Sequence, residues 1–270
     1  MLKLYKAGNS ICTQKVLLTL NEKHLDFRTH EINLFRNEQY DHEYLKLNPK
    51  GVVPTLDHDG SIIIESTLIC EYLDEVFPLP RLMPEEPLQK SKLRLWTKAI
   101  DEGIFEATRE LSFSAIFREK MKSMSPEQRE TRFQNVGSPG RRARYVSTYR
   151  EGVDSQYVTE GIADYEKLFN NMETVLAGGK DWLLGDDYTL ADISLSPFVA
   201  RLHYLTLLPI WIENRPLVAA WWERARRRPS FVIAVEKAIK KEDKADMATC
   251  GERIQDKVRE HREEYLAAIQ

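Results

Sequence analysis

Strand-like alternation opens the chain and gives way to a helical period that runs through most of its remaining length. Leu2 to Tyr5 predicts a short strand. Gly8-Asn9 breaks it, and Ser10 is placed to cap a helix on which Val16, Leu17, Leu20 and His24 share one side. Phe27 to Ile32 alternates as a second strand, and Tyr40 to Leu47 predicts a short helix. Thr55 to His58 and Ser61 to Ile64 read as a hairpin closed by Asp59-Gly60. Ser66 starts a helix that turns Leu68, Ile69, Tyr72, Leu73 and Val76 inward and stops at Phe77-Pro78.

The order β-α-β-α-β-β-α, complete within about eighty residues, is the thioredoxin-like one and is roughly half the size of a typical domain. Residues 1–78 are therefore predicted as a small α/β domain, and the proline-rich run 79–87 as a linker. Residues 88–270 are predicted as all-helical. In that part Leu88 to Met121 is one long helical pattern bent near Gly103, Ser125 starts a short helix, and Gly137 to Arg142 reads as a loop. Ser155 to Val175 is a further long helix. Thr189-Leu190-Ala191-Asp192 resembles a capping box, and the nearly all-apolar helix behind it belongs at the centre of the domain. Pro216 fits a first helical turn. Ser230 to Ile239 and Gly251 to Ala268 complete the chain, the last as a solvated addition. The cations of Arg224 to Arg228 likewise read as a solvated helix end, and Trp211, Trp221 and Trp222 as structural.

With 270 residues, 42% apolar and 30% charged, the chain has an ordinary globular composition and enough length for two domains. A formal net charge of −3 gives no reason to expect a nucleic-acid partner. Cys12, Cys70 and Cys250 have neither disulfide nor metal-ligand spacing, which suits a reducing compartment. No apolar run approaches the ~20 residues of a membrane span, and the first strand leaves no room for a signal peptide. The expectation is a cytoplasmic protein without a metal.

Asn48-Pro49-Lys50-Gly51-Val52-Val53-Pro54-Thr55-Leu56, with Glu65-Ser66-Thr67 beyond it, carries the chemistry. A tight Val53-Pro54 corner leaves the Val53 N–H and C=O facing outward, ready to pair with an extended peptide. Glu65 and Ser66 end a strand and begin a helix, so an acid, a hydroxyl and unpaired helical N–H groups converge. Such a set fits a peptide with both a carboxylate and an ammonium, and glutathione is one.

These residues, in this order, resemble the soluble glutathione transferases over nearly the whole chain. The likeness also rests on Leu4-Tyr5 through Ser10, on Ile69 with Tyr72-Leu73, and on Trp182-Leu183-Leu184-Gly185 with Tyr188 to Asp192. Asn9-Ser10, Glu65 to Leu73 and Arg94 to Lys98 resemble the bacterial lignin β-aryl-etherases. Ser10 to Lys15 is similar to the zeta-like group of maleylacetoacetate isomerases and reductive dehalogenases. The segment 121–157 is longer than in compact members.

The resemblance implies a thioredoxin-like glutathione-binding domain, a helical domain, a homodimer, and glutathione as the thiol substrate with a small hydrophobic electrophile as acceptor. Ser10 is then the donor that stabilises the glutathione thiolate, a role compatible with plain helix capping. Cys12 has two readings: it resolves a glutathione conjugate, or it is a small residue packed on the sheet. Val53, beside Pro54, pairs with the cysteinyl backbone, Ser66 takes the γ-glutamyl carboxylate, and Glu65 takes its ammonium. Lys50 either reaches the glycyl carboxylate or is a surface lysine. Asp101 resembles the acid that reaches a neighbouring subunit's glutathione, and is otherwise an exposed helix residue. The acceptor pocket is expected between the domains, with Phe105, Phe113, Phe117, Tyr204 and Arg109 as candidates. A glutathione-fold binding protein without turnover is the rival class.

Overall fold

The strand-period segments come together as one four-stranded sheet in a computed structural model, which describes residues 1–269. The α/β part contains β1 (Leu2–Lys6), α1 (Ile11–Glu22), β2 (Phe27–Glu31), α2 (His42–Leu47), β3 (Thr55–His58), β4 (Ser61–Ile64) and α3 (Ser66–Val76). Beyond it come the helices α4 (Pro87–Ala99), α5 (Phe105–Ser112), α6 (Arg118–Lys122), α7 (Pro126–Gln134), α8 (Pro139–Glu151), α9 (Gln156–Leu176) and α10 (Leu190–Tyr204). The remainder are α11 (Pro209–Ile212), α12 (Pro216–Arg226), α13 (Pro229–Phe231), α14 (Lys241–Glu252) and α15 (Gln255–Ala268). Two compact units result. The first comprises Met1–Thr97, Gly179–Pro197 and Trp221–Lys240; the second comprises Lys98–Gly178, Phe198–Ala220 and the chain from Lys241 onward.

In the first unit the sheet order is β2-β1-β3-β4, with β1 parallel to β2 and antiparallel to β3. Leu4 faces Leu56 across the central pair, and both are fully buried. The Asp59-Gly60 turn closes the β3–β4 hairpin as expected. Helix α1 departs from its one-sided prediction: every residue from Thr13 to Leu20 is buried. The helix is enclosed between α3 on one side and α13 with the π-helical turn Val232–Glu236 on another. His24 lies past its end, exposed and at positive φ. On α3, Ile69, Cys70, Leu73 and Asp74 point inward, whereas Leu68 and Val76 are exposed. Asp74 is buried against Lys23 at 2.6 Å and accepts from the Leu82 and Met83 amides, fastening the segment after α3 to the sheet unit.

Arg228 is no solvated helix end. It forms a two-pronged pair with Glu22 at 2.7 Å and lies over the Tyr188 ring. Asp192 does more than cap: its carboxylate is fully buried and accepts from the Leu183 amide, the Thr189 amide and hydroxyl, and the Trp221 indole.

In the second unit two π-helical turns, Ile100–Ile104 and Phe113–Phe117, interrupt the predicted long helix, the first of them at Gly103 where a bend is expected. The predicted 137–142 loop is instead mostly the start of α8, because Ser138 caps it and Pro139 suits its first turn. Helix α9 carries a buried carboxylate, Glu166, which pairs with Arg215 and, at 2.7 Å, with Arg262 of α15. The predicted solvated tail is thereby part of this unit. Gly251 allows it to close, since a Cβ there would overlap the Leu205 carbonyl.

Burial pushes the Glu166 carboxyl upward, but hydrogen bonds from Arg262 and Arg215 and their charges outweigh it and hold the group below its ordinary 4.5. A depressed folded-state value stabilises above the unfolded one and is lost as pH falls through it. Hydrogen exchange is expected to find α15 amides protected above about pH 4.5 and progressively released below it, with Arg262→Ala releasing them at neutral pH. Unchanged protection in both cases would contradict the anchoring role of Glu166.

Candidate active site

Strand register decides which loops meet. Tyr5 of β1 lies opposite Thr55 of β3, and Thr55 lies opposite Ile64 of β4. The loop leaving β1 toward Ser10, the Val53-Pro54 corner entering β3, and the Glu65-Ser66 step leaving β4 therefore gather at one end of the sheet. Six of the predicted site residues (Ser10, Lys50, Val53, Pro54, Glu65 and Ser66) come from these loops, and Cys12 follows Ser10 in α1.

Ser10 caps α1 with extended backbone, and its Oγ accepts the Thr13 N–H at 3.3 Å. The cap bond occupies a lone pair, so the hydroxyl proton remains available to another acceptor. No acidic residue caps α1 or lies in its first turn, so its positive end is not offset locally; the α3 end carries the acidic cap residue Glu65. Cys12 is half-buried two residues inside α1, and none of the three cysteines is in a disulfide. Cys70 is fully buried, which pushes its thiol up to about 11.

The Asn48–Thr55 loop is fixed from below. The Val52 carbonyl accepts from the Tyr44 hydroxyl at 2.7 Å and the Asn48 amide at 2.9 Å, and both side chains also meet the Thr55 hydroxyl. Gly51 sits at φ +60, and a Cβ there would press on the Tyr40 ring at 2.8 Å. The Val53-Pro54 bond is cis. Among the described residues no backbone hydrogen bond engages Val53 outside the ladder, which begins at Thr55.

Glu65 adopts φ 70, a conformation costly for a residue with a side chain and one that concentrates at functional sites. Its carboxylate pairs with Lys50 at 2.6 Å. Those side chains are 47% and 62% exposed, so the pair contributes at most about 1 kcal/mol. Ser66 and Thr67 open α3, both half-buried. Asp101 is exposed on the Ile100–Ile104 turn, which belongs to the second unit.

Sequence reasoning missed the supports. Tyr44 and Asn48 hold the corner, and Lys15, 1% exposed, donates to the Thr67 hydroxyl at 2.7 Å. Periodicity offers no signal for Lys15, because α1 is enclosed on more than one side. Arg109, a candidate for an acidic acceptor, is instead committed to Glu106 and to Glu110, the latter at 2.7 Å.

Comparison with known proteins matches both halves of the chain to one family. The Glutathione S-transferase, N-terminal domain, matches residues 9–76, and the Glutathione S-transferase, C-terminal domain, matches residues 140–229. Protein LigF of Sphingobium sp. strain SYK-6 is 31% identical over 248 residues, which are 90% of this chain and 95% of that protein. The chain belongs to the glutathione S-transferase family. The crystal structure of beta-etherase LigF superposes with a TM-score of 0.76 at 30% identity, covering 87% of this transferase and 99% of that chain. Maleylacetoacetate isomerase of Mus musculus is 29% identical over 200 residues, 73% of this transferase and 76% of the isomerase. Both likenesses seen in the sequence are thus present among its relatives. The thioredoxin-like domain followed by a helical domain is the family architecture, this transferase is an enzyme, and glutathione is the family's substrate or co-substrate. Among the described residues no helix is long and apolar enough to cross a membrane.

Proposed function

We propose that this transferase uses Ser10 to hold glutathione as its thiolate and directs that sulfur at an electrophilic carbon of an aromatic acceptor, an aryl ether foremost. The observation that carries the acceptor class is the 31% identity with LigF along 95% of that protein, whose crystal structure is that of a beta-etherase.

An unperturbed thiol titrates near 8.5 and is mostly protonated at neutral pH, whereas the thiolate is the nucleophile. The Ser10 hydroxyl, with its proton uncommitted to the cap, and the uncompensated N-terminus of α1 both favour the anion. Val53 pairs antiparallel with the cysteinyl backbone, with Pro54 holding the corner. Ser66 and the α3 amides take the γ-glutamyl carboxylate. Glu65 takes the ammonium, and Lys50, released from Glu65, takes the glycyl carboxylate. On an aryl ether the carbon–sulfur bond forms as the carbon–oxygen bond breaks. The aryloxide leaves with the bonding pair and is protonated by water, and a glutathione thioether remains.

The working form is a cytoplasmic homodimer. Exposed Leu68, Leu88 and Leu95 in the first unit support a self-associating surface, and Asp101 is the residue that addresses the partner's glutathione. A second reading, a dehalogenase or isomerase that also uses Cys12, is favoured by the position of Cys12 near the α1 N-terminus and by the isomerase likeness.

Retention on immobilised glutathione is the first test, followed by mass-spectrometric detection of a glutathione thioether and a free phenol from a β-aryl ether. Cys12→Ala is expected to keep at least half of the turnover. Turnover abolished by Cys12→Ala alone would replace the Ser10 mechanism with the second reading.

A further inference from the structure

Lys15 is 1% exposed, and among the described residues its one hydrogen bond is to Thr67 Oγ1 at 2.7 Å, with no carboxylate within ion-pair distance. Burying an ammonium costs several kcal/mol unless an anion compensates it. Lys15 is the one charged residue among the buried residues Thr13 to Leu20 of α1. The counter-charge is therefore to be sought in what binds at the other side of Thr67.

Thr67 is the second residue of α3, half-buried, beside Ser66. A hydroxyl has one proton and two lone pairs. With Lys15 donating to one lone pair, the Thr67 proton is turned away from Lys15 and is free to be donated. We infer that Lys15 is a positioning residue that holds Thr67 as a donor and supplies a buried positive charge behind the α3 N-terminus, so that the pair selects a ligand bearing the γ-glutamyl α-carboxylate. The inference rests on the assignment of that carboxylate to Ser66 and α3.

Glutathione and 4-aminobutyryl-cysteinyl-glycine, which lacks only that carboxylate, separate the two by calorimetric titration. The enzyme is expected to bind glutathione at least tenfold more tightly than the analogue. Lys15→Met is expected to weaken glutathione about tenfold, worth about 1.4 kcal/mol, and to leave the analogue unchanged. Should Lys15→Met not fold, Thr67→Val against Thr67→Ser tests the same pair, the valine losing the discrimination and the serine keeping it. Equal weakening of both ligands, or unchanged discrimination in Lys15→Met or Thr67→Val, overturns the inference while leaving the site assignment intact. An enzyme that binds neither ligand overturns the assignment and the inference with it.

Discussion

Asp192→Ala is expected to lower the melting temperature by roughly 10 °C, corresponding to about 3–5 kcal/mol. The carboxylate is fully buried, and burial raises its titration while four donors from Leu183, Thr189 and Trp221 oppose that shift. Its Oδ1 accepts the Leu183 amide at 3.1 Å and the Trp221 indole at 2.8 Å. Its Oδ2 accepts the Thr189 amide and hydroxyl, both at 3.1 Å. Alanine leaves all four buried donors without an acceptor, and each costs its desolvation. Asparagine does little better, since in either orientation its amide nitrogen faces two donors. Thermal denaturation of the two variants tests this, and a change below about 2 °C in both would contradict it.

Ser10→Ala is expected to reduce kcat/KM about tenfold to a hundredfold, toward the loss seen when a donor to a reacting anion is removed. It also costs the helix about 1 kcal/mol as a lost cap, so alanine alone does not separate capping from catalysis. Ser10→Asp does. Aspartate is a good cap, yet it brings a negative charge and no proton to the sulfur, so it is expected to be as inactive as alanine or more so. Ser10→Thr, which keeps the hydroxyl, retains most of the activity. An active Ser10→Asp enzyme would reduce Ser10 to a structural cap.

Local chemistry makes the sheet end readable in the sequence. The Asp59-Gly60 turn fixes the β3–β4 register, and that register brings Glu65 to Thr55 and hence to the Val53-Pro54 corner. Ser10, Ser125 and Ser155 cap the helices they precede. The features that escaped depend on partners distant in sequence. Lys15 was hidden because α1 is enclosed on more than one side, so periodicity singles out no face. Helix α15 reads as solvated because its charges are dense, yet Arg262 answers a buried Glu166 contributed by α9. Arg228 sits in a run of cations that local rules assign to solvent, and its partner Glu22 belongs to α1 at the other end of the chain. Leu68 fits an inward helical stripe but is exposed.

The most direct measurement is the ultraviolet titration of the thiol of bound glutathione, in the native enzyme and in Ser10→Ala at saturating ligand. The bound thiol is expected to ionise at least one unit below the free value of about 8.5 and to return most of the way toward it in the variant. A thiol that titrates at the free value in the native enzyme, or one equally depressed without the serine hydroxyl, would contradict it.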